Sequence, residues 1–388
     1  MSLDMPKARE LFESSTDFTV GLEEEFQILD PESLELVQRF PELYDAAQAD
    51  EDLAASVAGE LISSEIEIRS GRGENFPHAV ALQAVHREKL FKLAANNGAA
   101  LGSIGAHPYS PWQDQKIIDT EHYHLVEDGL KYVAWRNNTF SLHVHVGVKG
   151  ADRAIGVCDR LREILPELLA LSASSPWAEG RDSGLASART QLFTRMFPRC
   201  GIPEPFGDWQ TYADFVEFLK HTNSVIESTQ LWWSVRPHHL YGTVEVRICD
   251  AQPSGDDSTA LAGLITACVA QAARDIDEGV PFTPLPGRAV EENLWRAIRF
   301  GLDGKFIDLA KGEEYPAADI ADRLLEWTAP VRVELGIDPQ MPERNATQRF
   351  RAMDGDTHEK FAAAVRETAE TFGASAQGTR TTAANSPV

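Results

Sequence analysis

The chain has few cysteines, few basic residues and no long apolar run. Cys158, Cys200, Cys249 and Cys268 stand far apart and form no Cys-x-x-Cys pair, which argues against a disulfide framework and a zinc knuckle. No stretch approaches the ~20 apolar residues of a membrane span, and residues 1–15 carry no apolar run of signal-peptide length. The expectation is a reduced, cytoplasmic protein with no membrane partner. Lys and Arg number 36 against 60 Asp and Glu, a formal net charge of −24. A surface of that sign repels phosphate backbones, so nucleic acid is not an expected partner. An anionic substrate such as a nucleotide would need metal cations or local arginines to offset the field. The acidic balance, with Arg above Lys, suits a high-salt cytoplasm and equally a GC-rich genome. Three familiar signatures are also missing: G-x-x-x-x-G-K-[ST], a G-x-G-x-x-G after a strand, and the G-x-S-x-G nucleophile elbow.

What is present suffices for a sizeable core: 43% of the 388 residues are hydrophobic and 25% charged, an ordinary globular balance. No repeat or long linker interrupts residues 1–372, which read as a single catalytic domain. Residues 373–388 (GASAQGTRTTAANSPV) read as a flexible C-terminal tail. Apolar spacing predicts helices over 76–96, 152–172 (kinked or divided by Pro166), 209–228, 258–278, 290–300, 318–336 and 358–372.

The strands are more informative, because alternation assigns each side chain to a face. Over 18–29, Phe18, Val20, Leu22, Phe26 and Ile28 oppose Thr19, Gly21, Glu23, Glu25 and Gln27. Over 61–69, Ile62, Ile66 and Ile68 oppose Glu65, Glu67 and Arg69. Over 140–148, the apolar face opposes Ser141, His143, His145 and Gly147. Over 243–249, Val244, Val246 and Ile248 oppose Thr243, Glu245, Arg247 and Cys249. Such alternation predicts an α+β fold: a curved, mainly antiparallel sheet with helices packed on one face and a polar face lining a cleft.

Ordinary solvated strands carry Lys, Thr and Ser on the open face; here the residues are Glu, His and Arg. Glu-x-Glu and His-x-His each set two ligands ~7 Å apart on one side of a strand. Carboxylates with a few imidazoles suit Mg²⁺ or Mn²⁺ better than a closed zinc site. Any one of these motifs alone reads as solvated surface or a cross-strand ion pair of little weight. Their recurrence on the same kind of face in four strands points to a metal-lined site. Glu24 breaks the pattern by standing on the apolar face. A bulge, an exposed edge or a buried cation partner would each account for it.

Seven segments then follow one another in order: VGLEEEF, ELISSEIEIRSG, GSIGAHP, FSLHVHVGV, ALSASSPWAEGRDSGLASART, WWSVRPHHLYGTVEVRICD and AGLITACV. Together they resemble the glutamate–cysteine ligase type 2 family of ATP-dependent carboxylate–amine ligases, over roughly Phe18 to Gln271. The resemblance implies a glutamine-synthetase-like catalytic fold whose sheet forms a funnel for ATP and Mg²⁺ (or Mn²⁺). It implies phosphorylation of the γ-carboxylate of L-glutamate and attack on the acyl phosphate by L-cysteine. The products would be γ-glutamylcysteine, ADP and phosphate, which places the reaction in glutathione biosynthesis.

By the same resemblance Glu23, Glu25, Glu67, His145 and Glu245 are the candidate metal ligands, with His143 supporting them and Glu60 standing for another acidic position. Arg189, Arg236 and Arg247 are candidates for binding ATP phosphates, and Arg236, Arg247 and Glu245 for the catalytic step. Glu24, Leu142 and Glu65 depart from the family pattern, which bears on the substrate pocket more than on phosphoryl transfer. Another acid and amine pair, a zinc-dependent hydrolase using His143 and His145, and a ligase-like binding module are the alternatives. The partners are small molecules, and homo-oligomerisation is left open.

Overall fold

The computed structural model describes residues 4–225 and 230–373. Apart from Gly373, the expected tail at 373–388 lies outside the described residues. Seven strands form the central sheet: β1 Val20–Leu29, β2 Val57–Ala58, β3 Glu65–Arg69, β4 Ala100–Gly102, β5 Ser141–Gly147, β6 Val235–His238 and β7 Thr243–Asp250. Their order is β6-β7-β5-β1-β3-β2, with β4 pairing the end of β1 on the same edge as β5. Every pairing in it is antiparallel. The alternating apolar residues all face one side. Leu22, Val144, Val146, Val244 and Val246 join one core with the helices Ala151–Leu161, Leu165–Ser172 and Gly255–Asp277. Gly255–Asp277 is buried almost all round, as a helix without a polar stripe must be.

Helix ends follow local chemistry. Phe76–Asn96 starts on Asn75, whose side chain accepts from His78 N, and stops at Asn97–Gly98, where Gly98 has φ +68°. The expected helix 152–172 is two helices, with Pro166 in the first turn of the second, where its missing N–H costs nothing. The expected helix 209–228 is Trp209–His221; it gives way to a turn at Asn223, which has φ 55°, and residues 226–228 lie outside the described residues. The expected strand 61–69 is shorter, because Ile62 makes only an isolated bridge to Ile117. A second departure lies in β7. Its pairing with β5 runs from Val246↔Val144 to Cys249↔Leu142, so Arg247 and Ile248 together oppose His143. This β-bulge reverses the alternation. Cys249, expected on the polar face, sits in the core, and Asp250 falls opposite Ser141 instead.

Candidate active site

Strand register gathers the polar residues onto one floor. Glu23 pairs with His143 on one side and Arg69 on the other, Glu25 with Glu67, and Gln27 with Glu65. Glu245 lies between His145 and Arg236. Of these, Glu23, Glu25, Glu65, Glu67, Arg69, Arg236 and Glu245 line a cleft with Glu60, Ser141, Arg189 and Arg247. The same cleft is lined by an apolar wall of Leu61, Tyr123, Val126, Phe193, Phe197 and Trp232, which pack in one cluster. Tyr123 and Val126 come from the helix Glu121–Leu130, and the Tyr123 hydroxyl donates to Gly59 O at 2.5 Å. The apolar pattern along this helix is too weak to announce it in the sequence. At the far end Tyr241 stacks on His238, ring centroids 4.4 Å apart, and its hydroxyl meets the Arg69 side chain.

The floor divides electrostatically. Burial raises the pKa of Glu245, but Arg236, Arg247 and then His145 pull it well below the ordinary carboxylate value. Arg236 Nε donates to Glu245 Oε2 at 2.6 Å, and Arg247 donates to Oε1. Glu23 is likewise held low: burial raises it, and His145 and His143 more than offset that. The other half has carboxylates facing carboxylates. Burial, then Glu60, pushes Glu25 up to about 7. Burial and the neighbouring carboxylates hold Glu65 and Glu67 well above their usual range. Glu65 Oε2 is buried with no hydrogen-bond partner among the described residues. Such a surplus of buried carboxylate oxygens fits divalent cations as the missing partners.

Two sets of donor atoms lie close enough to share an ion: Glu23, His143 and Glu245, and Glu25, Glu67 and His143, each within 4.8 Å of one another. His143 belongs to both and His145 to neither, the reverse of the roles drawn from the sequence. The two imidazoles also differ electrostatically. Burial, then Arg247, pushes His143 down to about 4, so its imidazole is neutral and able to coordinate. Glu23 and Glu245 raise the pKa of His145 against its burial, and its Nε2 lies 3.3 and 3.8 Å from their carboxylate oxygens. Its Nδ1 is 3.0 Å from Thr243 Oγ1. Neither donor set among the described residues joins His143 with His145, so this geometry does not favour a zinc site built on that pair. A neutral imidazole offers one lone pair. Ser141 Oγ donates to Glu25 Oε2 at 2.6 Å and so accepts from His143 Nε2 at 2.8 Å. That network leaves the Nδ1 lone pair for the Glu23/Glu245 set.

The three arginines differ in what they have to offer. Arg236 is committed to Glu245 and to Leu231 O. Arg189 lines the cleft, yet it gives its terminal nitrogens to the carbonyls of Ile248 and Arg247 at 3.0 and 3.2 Å. Arg247 bonds Glu245, while its Nε has no hydrogen-bond partner among the described residues. Glu24 is resolved as the buried ion pair: Arg87 grips both its oxygens, with Gln83 Nε2 at 2.8 Å and Ser258 completing the shell.

Comparison with known proteins bears on the class. A solved glutamate–cysteine ligase from Francisella tularensis, crystallised with AMP, superposes with a TM-score of 0.64 at 13% identity, covering 92% of this chain and 90% of that one. A bifunctional glutathione synthetase from Pasteurella multocida gives the same TM-score over 95% of this chain and 54% of its own. At that identity the likeness is one of fold. The sequence relatives are nearer. A Sorangium cellulosum protein provisionally named glutamate–cysteine ligase 2 is 39% identical over 310 residues, 80% of this chain and 82% of its own. One from Solibacter usitatus with the same provisional name is 36% identical over 326 residues, 82% of each. The fold and these relatives define an ATP-dependent ligase. The chain belongs to glutamate–cysteine ligase family 2, whose profile matches residues 19–372.

Proposed function

We propose that the protein joins the γ-carboxylate of L-glutamate to the amine of L-cysteine through an acyl phosphate, forming γ-glutamylcysteine, ADP and phosphate. The observation that carries the reading is the half-neutralised floor: six carboxylates, two donor sets sharing His143, and Arg247 beside them under an apolar wall. A carboxylate is a poor acyl donor because its leaving group is oxide, and transfer of the ATP γ-phosphoryl group supplies a better one. Both reactants are anions, so the floor must bring positive charge to the oxygens between them. Mg²⁺ or Mn²⁺ held by Glu23, His143 and Glu245, and by Glu25 and Glu67, would supply Lewis-acid neutralisation there. Arg247 adds a fixed charge from the side of β7. The wall of Tyr123, Phe197 and Trp232 suits a nucleotide base above its phosphates and keeps water from the acyl phosphate.

The test uses ATP, Mg²⁺ and mixed amino acids, with the product identified by mass spectrometry alongside ADP release. Hydroxylamine in place of the amine should give the glutamyl hydroxamate. With ¹⁸O in the side-chain carboxylate, one label should appear in released phosphate. AMP in place of ADP, or unlabelled phosphate with product formed, would exclude the acyl-phosphate route. Labelled phosphate from another acid would change the substrate alone.

A further inference from the structure

Three motifs of the sequence, GSIGAHP, SASSP and SART, have no part in the floor, yet they converge on one buried side chain. Asp250 ends β7 with no exposed surface. Its Oδ2 accepts from Ser174 N at 3.0 Å and Ser175 Oγ at 2.6 Å, and its Oδ1 from Ser187 Oγ at 2.9 Å. Each hydroxyl passes the anchoring on: Ser175 Oγ accepts from Arg189 N at 3.1 Å, and Ser187 Oγ from Thr190 N at 3.3 Å. The first loop fits around this hub only as glycine, since a Cβ on Gly105 would stand 2.6 Å from Asp250 Cγ.

The anchored residue is Arg189, and what Arg189 holds is the bulge. A β-bulge leaves ladder groups unpaired and re-aims a side chain. Here the carbonyls of Arg247 and Ile248 accept from Arg189, and Arg189 Nη1 lies 3.7 Å from Asp250 Oδ1. A chain therefore runs from Asp250 through Ser175 to Arg189, with Ser187 holding the next residue, Thr190, and on to the backbone of Arg247 and so to the guanidinium that bonds Glu245. We infer that Asp250 is a positioning residue for phosphoryl transfer: it fixes the bulge that aims Arg247 into the cleft. The inference rests on the reading that Arg247 meets the phosphates.

A double-mutant cycle tests it, with Asp250→Asn, Arg247→Met and the pair. The readouts are kcat for ATP-dependent hydroxamate formation, MgADP affinity by calorimetry, and thermal unfolding. Asp250→Asn should lower kcat by about 10²-fold, the usual cost of a misplacement of about 1 Å, and weaken MgADP binding, with the KM for the acid within about twofold. The pair should be no worse than Arg247→Met alone, because the two changes act through one side chain. Losses that multiply, or a folded Asp250→Asn enzyme at full kcat, would overturn the inference. Should Asp250→Asn not fold, Ser187→Ala removes one bond to the same carboxylate. It should then give a smaller loss that again vanishes in the Arg247→Met background, and a loss persisting there would be equally fatal. Non-additive MgADP binding without turnover of glutamate would leave this inference standing and count against the proposed substrate alone.

Discussion

At the residue scale, removing one negative charge from Glu245 probes the floor directly. Glu245 is fully buried between Arg236 and Arg247, and His145 faces it. Glu245→Gln keeps the volume but leaves two guanidiniums short of their counter-ion and one donor set short of a carboxylate. The expected result is a fall in kcat of about 10²-fold or more, since one charge in a preorganised site is worth several kcal/mol. Circular dichroism should report an intact fold. A stably folded variant with near-normal turnover would remove Glu245 from the site. His143→Asn and His145→Asn separate the two imidazoles. The first should raise the Mg²⁺ concentration needed for half-maximal activity by about tenfold or more, because it deletes the nitrogen donor of the Glu23/Glu245 set. The second should act on kcat more than on the metal requirement. Titration of activity with Mg²⁺ distinguishes them, and equal shifts in both variants would return His145 to the ligand set.

At the element scale, the Glu24–Arg87 pair fastens β1 to two helices. Arg87 comes from Phe76–Asn96, Ser258 from Gly255–Asp277, and Glu24 stands between Glu23 and Glu25. Both partners are almost fully buried, so Arg87→Met should cost about 3–5 kcal/mol by leaving a carboxylate unpaired. Glu24→Leu combined with Arg87→Met should recover most of that in urea unfolding. Failure of the second change to rescue the first would mean the pair has no mutual role. The sequence could say that Glu24 was out of place but not what paired it, because Arg87 is 63 residues away on a helix. The same limit runs through the sheet. Period-two alternation made the polar face of β1, β3 and β5 legible, since each residue's face depends on its neighbours alone. The bulge at Arg247 was not legible, because it depends on how β5 and Arg189 meet β7. That is why Cys249 was assigned to the wrong face and Asp250 to none. Nor could alternation rank His143 against His145, whose difference lies in which charged side chains the neighbouring strands set beside each.

At the scale of the whole molecule, the chain carries a formal charge of −24 and concentrates several of its carboxylates in one cleft. Without cations that concentration is a liability whose pH dependence has a definite sign. Glu25 is pushed up to about 7 by burial and Glu60, from an ordinary value of 4.5. A carboxyl whose folded pKa is raised binds more protons folded than unfolded, so stability falls as pH rises through that window. Glu60, Glu65 and Glu67, all raised, act in the same direction. Glu23 and Glu245 are depressed, so their contribution is complete above 4.5 and is lost only at lower pH. The metal-free protein should therefore lose thermal stability between pH 4.5 and about 7. Mg²⁺ should restore it, most strongly near neutral pH, and its binding at pH 6 should release protons, seen as a buffer-dependent calorimetric enthalpy. Glu25→Gln removes one raised carboxyl and should make the slope in chelator shallower. An unchanged slope in that variant would mean that the acidic surface, and not the cleft, sets the pH dependence.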